Sequence, residues 1–217
     1  MYPLFKDRAE AGRMLAERMK GEAGPETVVL ALPRGGVPVA FELASALGAT
    51  LDILPVRKLG VPGQPELAMG AIAPGGALFV DRDTMRRANV TQAQFDAVLA
   101  EEQSELTRRE ASYRGERAAS EIKRRTAILV DDGIATGSTM QAAVKALRER
   151  GPARIVVAVP VAPIGAEADF SEIVDEFVCI AQPALFFSVG QHYENFDQTT
   201  DEEVRELLAR TPARPDT

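Results

Sequence analysis

Short apolar, β-branched runs alternate with helix-patterned segments through most of this sequence, and that alternation restricts the fold more than any other feature. "TVVLALP" at 27–33, "LDILPVR" at 51–57, "TAILVDD" at 126–132, "RIVVAVPV" at 154–161 and "EIVDEFVCI" at 172–180 each read as a strand. Runs this continuously apolar are the pattern of strands covered on both faces. "GVPVAFELASALG" (36–48) and "GSTMQAAVKALRERG" (137–151) space their apolar residues as helices do, and they stop at Gly48 and at Gly151-Pro152. The expected fold class is α/β, with a parallel sheet of about five strands flanked by helices.

Two regions depart from the alternation. Residues 58–81, "KLGVPGQPELAMGAIAPGGALFVD", hold five Gly and three Pro, so they read as a long loop with, at most, a hairpin toward its end. Residues 84–120 read as a charged helical insertion, with Thr91 as a helix cap and Phe95, Val98, Leu99 and Leu106 as a thin apolar stripe. No linker divides the 217 residues. The expectation is therefore one domain, with a core at about 27–182, the insertion at about 84–120, and flanking segments at 1–20 and 183–217.

Composition removes several classes of function. No window approaches the length of apolar chain that spans a bilayer, and "MYPLFKDRAE" lacks a secretion-signal pattern, so neither membrane nor export is expected. The single cysteine, Cys179, has no partner for an intramolecular disulfide and suits a reducing cytoplasm; its place inside a strand makes it core rather than nucleophile. A net charge of −7 disfavours an extended nucleic-acid surface but leaves room for a small basic pocket.

The chemistry concentrates in "ILVDDGIATGSTM", residues 128–140. Open parallel sheets bind ligands beyond the carboxyl ends of their strands, which is where Asp131 and Asp132 fall. Ala135, Thr136, Gly137, Ser138 and Thr139 follow at the start of a helix. Small residues there let backbone N–H groups converge, the hydroxyls add donors, and the helix dipole favours an anion. A phosphate beside two carboxylates suits a sugar phosphate, whose vicinal hydroxyls donate to the acids. The plain alternative is a strand-loop-helix whose Ser and Thr merely cap the helix.

This motif resembles the phosphoribosyl diphosphate (PRPP) site of the type I phosphoribosyltransferases: apolar strand, two acids, short linker, T-G-x-T loop. The order of elements over roughly 27–182 is similar to that family as well. The resemblance implies that Asp131 and Asp132 bind the ribose hydroxyls and that residues 135–139 wrap the 5-phosphate. It implies a pyrophosphate loop at "LPRGGVP" (32–38), with Arg34, Gly35 and Gly36, where the family often carries a cis non-proline peptide. Lys58 is expected to join Arg34 in handling the leaving pyrophosphate. Arg57 is set aside, because strand alternation would turn it to the other face. Mg²⁺ is the implied cofactor, carried mainly on PRPP oxygens with no direct protein ligand. The loop at 59–75 would match the family's mobile catalytic loop, and Glu66 in it is either a proton acceptor, a substrate contact or a solvated charge.

The acceptor is not legible. Where 6-oxopurine enzymes typically place Asp before T-G, this chain has Ala135, closer to the adenine-type pattern, and the motif then contains no general base. "PALFFSVGQHYENF" (183–196) offers Phe186, Phe187 and Tyr193 as stackers for a planar base; packing onto the core is the default for each taken singly. The only histidine, His192, supports neither a metal cluster nor a triad. The expected activity is transfer of a phosphoribosyl group from Mg-PRPP to a nitrogenous acceptor, by a cytoplasmic enzyme with a homodimer as the family-level assembly. The alternative is a regulatory protein that binds PRPP or a nucleotide without turnover.

Overall fold

The computed structural model describes residues 3–21, 24, 26–115 and 117–211, together with the backbone but not the side chain of Glu66. Five strands form one sheet: β1 (Thr27–Ala31), β2 (Thr50–Ile53), β6 (Thr126–Val130), β7 (Arg154–Val161) and β8 (Glu176–Ala181), in the order β2-β1-β6-β7-β8. Every pairing in it is parallel. Alternate residues of each strand serve opposite faces. Val29, Ala31, Ile128, Val130, Val156 and Ala158 pack under α1 (Arg8–Arg18), α2 (Gly36–Leu47) and α6 (Asp201–Arg210). Val28, Leu30, Ala127, Leu129, Ile155 and Val157 pack under α5 (Ser138–Arg148). Burial on both faces explains why these runs lack polar alternation. The expected helix stop at Gly48 is present, as a left-handed C-cap at φ 62°.

The segment 58–81 is not a loop. It folds as an antiparallel three-stranded sheet of β3 (Arg57–Val61), β4 (Gln64–Ala73) and β5 (Ala77–Val80). Its glycines mark turns: Gly63 (φ 80°) follows Pro62 between β3 and β4, and Gly75 and Gly76 (φ 81° and 79°) follow Pro74 between β4 and β5. Pro-Gly pairs fit turns that need a positive φ at the second residue. The second strand of the main sheet accordingly ends at Ile53, and Arg57 and Lys58 belong to β3 rather than to it.

The insertion is two helices, α3 (Arg82–Arg87) and α4 (Gln92–Arg114). Thr91 caps α4 through a reciprocal capping box with Gln94. The predicted stripe docks on the small sheet: Phe95 and Leu106 are buried with Leu59, Val61, Met69 and Ile72, flanked by Val98 and Leu99. At the other end of α4, Arg114 pairs with the buried Asp52 on edge strand β2 and donates to the Ile53 carbonyl.

Candidate functional site

Strand β6 lies in the middle of the main sheet, and its first residues beyond the carboxyl end are Asp131 and Asp132. Their neighbour is the loop after β1, whose Leu32 N–H donates to the Val130 carbonyl at 2.9 Å. The Pro33–Arg34 peptide in this loop is cis. A β-carbon on Gly35 would overlap Oδ2 of Asp132 and stand 2.7 Å from its Cγ; one on Gly36 would stand 2.6 Å from the Val130 carbonyl oxygen. Gly35 is therefore required by the Asp132 carboxylate, and Gly36 by the backbone at the end of β6.

Each carboxylate has one oxygen engaged by the protein. Asp131 Oδ1 accepts from the Asp132 N–H at 2.9 Å, and Asp132 Oδ2 accepts from Arg8 Nε at 2.8 Å. Among the described residues no donor reaches Asp131 Oδ2 or Asp132 Oδ1. Burial and the neighbouring Asp132 push the Asp131 carboxyl well above its usual range. Asp132 is raised by burial and held back by the Arg8 guanidinium.

Five residues beyond Asp132, Gly137 is the N-cap of α5, left-handed with φ 75° and no side-chain cap bond. Ala135, Thr136 and Thr139 are exposed, and the Thr136 and Ser138 hydroxyls stand 3.2 Å apart. The leading N–H groups of a helix have no partner within it, so an uncapped start beside hydroxyls is a ready anion seat. The only side-chain contact to these N–H groups among the described residues is a long one, from the Ser138 N–H to Thr136 Oγ1 at 3.5 Å.

Lys58 lines a cavity of about 600 Å³ together with Pro33, Arg57, Thr139, Glu101 and Glu102. The start of α5, the loop after β1 and β3 thus meet around one space, lined on its far side by α4. Arg57 faces it as well, paired to Glu102 at 2.5 Å. Strand alternation does not exclude Arg57 from the lining, because the cavity wraps the start of β3 and both residues border it. Arg34 opens instead into an adjoining cavity of about 390 Å³ with Arg108, Arg109 and Tyr113, and lies 3.3 Å from Asp201 at the start of α6.

The three aromatic candidates separate. Phe187 is 85% exposed, Phe186 packs 5.2 Å from the His192 ring, and Tyr193 is 5% exposed between Phe5 and Phe196. The Tyr193 hydroxyl donates to the Asp132 carbonyl at 2.6 Å, so this ring braces the acidic pair and has no free face for a base. His192 is buried beside Gln191, with its pKa lowered by burial. Burial pushes the Cys179 thiol up to about 11, which keeps it protonated at neutral pH. Glu66, the loop acid of the sequence reading, has its side chain outside the described residues.

Arg8 and Asp201 were missed from sequence. Nothing in the local pattern of α1 signals that Arg8 reaches a carboxylate 124 residues away. Among the described residues, no group of three or more His, Cys, Asp and Glu could hold a metal ion, and no helix is long and apolar enough to cross a membrane.

Comparison with known proteins agrees with this geometry. Residues 5–193 match the model of the phosphoribosyl transferase domain. The chain is 50% identical over 207 residues to "Putative phosphoribosyl transferase Rv0571c" of Mycobacterium tuberculosis, covering 95% of this chain and 47% of that protein. It thus spans about half the length of the curated relatives it matches. The crystal structure of TT1426 from Thermus thermophilus is similar at a TM-score of 0.88 and 40% identity, covering 96% of this chain and 99% of that one. A hypothetical protein from Neisseria gonorrhoeae with bound ppGpp shares the fold alone, with a TM-score of 0.50, 12% identity and 97% and 99% of the two chains covered. With its family model matched over most of its length and its acidic pair and phosphate loop at one sheet edge, the chain belongs to the phosphoribosyl transferase domain family.

Proposed function

We propose that this chain binds Mg-PRPP and transfers its phosphoribosyl group to a nitrogenous acceptor, releasing pyrophosphate. The observation that carries the reading is the spacing of two free carboxylate oxygens, on Asp131 and Asp132, from the uncapped start of α5. The first accept from the two ribose hydroxyls, and the second seats the 5-phosphate through backbone N–H groups with Thr136, Ser138 and Thr139. So held, the sugar turns its anomeric carbon toward the cavity that contains Lys58 and Pro33. The bond from that carbon to the pyrophosphate oxygen breaks, and a bond to the acceptor nitrogen forms on the opposite face.

Lys58 and the Gly35–Gly36 loop steady the leaving pyrophosphate, with Arg34 at its rim. Mg²⁺, held through substrate oxygens, would neutralise charge on the leaving group. The β3–β4 hairpin and α4 line this space, where excluding water would protect a ribosyl cation-like transition state from interception. The lone Cys179 suits a reducing cytoplasm as the compartment of the reaction.

The second reading is a PRPP-binding protein without turnover. Ala135 favours it, because the motif then contains no acid to take a proton from an acceptor. Lys58, facing the same cavity as Thr139, favours the enzyme. Pyrophosphate release measured over a panel of purine, pyrimidine and amine acceptors decides. Release with any acceptor, lost in Lys58→Ala, supports transfer; PRPP binding without release supports the second reading.

A further inference from the structure

The N-terminal segment is sewn to the chain near the other end, and the stitching delivers one side chain. Leu4 and Phe5 N–H groups donate to the His192 carbonyl at 2.8 and 3.0 Å, Glu194 N–H donates to Phe5, and Asn195 N–H donates to Lys6. Phe5, Tyr193 and Phe196 stack in sequence at ring separations of 5.2 and 5.0 Å. Asp7 then caps α1 by accepting from the Glu10 N–H, and Arg8 is the first helical residue. Its guanidinium lies 3.9 Å from the centre of the Phe196 ring, donates through Nη1 to the Asp197 carbonyl at 2.7 Å, and donates through Nε to Asp132 Oδ2 at 2.8 Å.

Those anchors leave the Arg8 side chain only 11% exposed, and its one carboxylate partner among the described residues is Asp132, itself 14% exposed. An ordinary structural ion pair could satisfy any oxygen of any acid. This one takes Oδ2, the oxygen that abuts Gly35, while the Tyr193 hydroxyl pins the carbonyl of the same residue. What remains available on Asp132 is Oδ1, and on the preceding residue, Asp131, it is Oδ2. Two acceptors are thereby presented to a pair of vicinal hydroxyls.

From this we infer that Arg8 is a positioning residue of the acidic pair, an inference that rests on the proposed function: it holds one oxygen of Asp132 so that the other meets a sugar hydroxyl as an ionised acceptor. The charge matters as much as the aim. Burial pushes both carboxyls up, and a protonated Asp132 would compete with the sugar hydroxyl as a donor. Among the described residues the groups that face Asp132 are few: Arg8 from α1, Asp131 from its own segment and Tyr193 from 192–197, while the loop after β1 brings only Gly35 and Gly36. Arg8 is the cation in that set, so it alone opposes protonation by charge.

The test uses the whole chain with Arg8→Met, which keeps bulk without charge, and Arg8→Lys, which keeps charge without the fork. In ligand-free protein, carboxyl carbon NMR should show the pair titrating at higher pH in Arg8→Met and near the wild-type position in Arg8→Lys. The acid limb of Mg-PRPP affinity, followed from pH 5 to 8, should be displaced by the same interval, with affinity on that limb lower by about ten-fold for each unit that the titration moves. Arg8→Lys should restore that limb. An unmoved titration in Arg8→Met overturns the inference, as does PRPP binding by that variant equal to or tighter than wild type. If Arg8→Met does not fold, Arg8→Lys decides: an acid limb displaced as far as loss of charge requires overturns it. Wild-type protein that binds no PRPP refutes the proposed function instead, and the ligand-free titration still decides the role of Arg8.

Discussion

Burial raises the Asp131 carboxyl well above its usual range, and the adjacent Asp132 charge raises it further. A carboxyl whose folded pKa exceeds its unfolded value stabilises the fold while protonated, below the unfolded pKa, and loses that contribution as pH climbs through the folded value. Ionising this buried pair therefore costs the ligand-free protein stability. Asp131→Asn removes that cost, so its melting temperature at pH 7 should exceed that of the wild type, the difference should shrink toward pH 4, and PRPP binding should be lost. A melting temperature below wild type at pH 7 would show that the acids serve stability. Gly35→Ala reports on the same pair from the other side. Its β-carbon would overlap Asp132 Oδ2, so calorimetry should show PRPP affinity lost even where the variant folds.

At the scale of elements, α4 joins the two sheets. Its Phe95 and Leu106 dock on the small antiparallel sheet, and its C-terminal Arg114 pairs with the buried Asp52 on the main one. Phe95→Ala should cost about 3–5 kcal/mol by urea unfolding, because a buried aromatic leaves a cavity. Asp52→Ala, leaving the 6%-exposed Arg114 without its buried partner, should cost a similar amount, about 3–5 kcal/mol. This level also shows what a sequence conveys. The five main strands are legible because burial on both faces writes an unbroken apolar run, and the Thr91 cap because it is local. The small sheet is hidden, since Pro62-Gly63 and Pro74-Gly75 look like loop when counted by composition and like turns only when counted by position. The acidic pair and phosphate loop are legible because they are contiguous. Arg8, Asp201 and the bracing Tyr193 hydroxyl are not, because tertiary folding alone brings them there.

At the scale of the molecule, the sheet edge, the α4 wall and the stitched terminal segments converge on the acidic pair and the cavity beside it. The parallel sheet sets Asp131 and Asp132 beside the start of α5; the small sheet and α4 enclose the Lys58 cavity; residues 4–8 and 192–197 hold the acids from behind. The most direct test is the melting temperature with Mg²⁺ and PRPP. At a ligand concentration of about a hundred times Kd, binding adds about 2.7 kcal/mol, which for a chain of this size is a rise of about 5–10 °C. The account predicts that rise in the wild type and none in the Asp131→Asn, Asp132→Asn double variant. No rise in the wild type at millimolar PRPP, or an equal rise in the double variant, would contradict it.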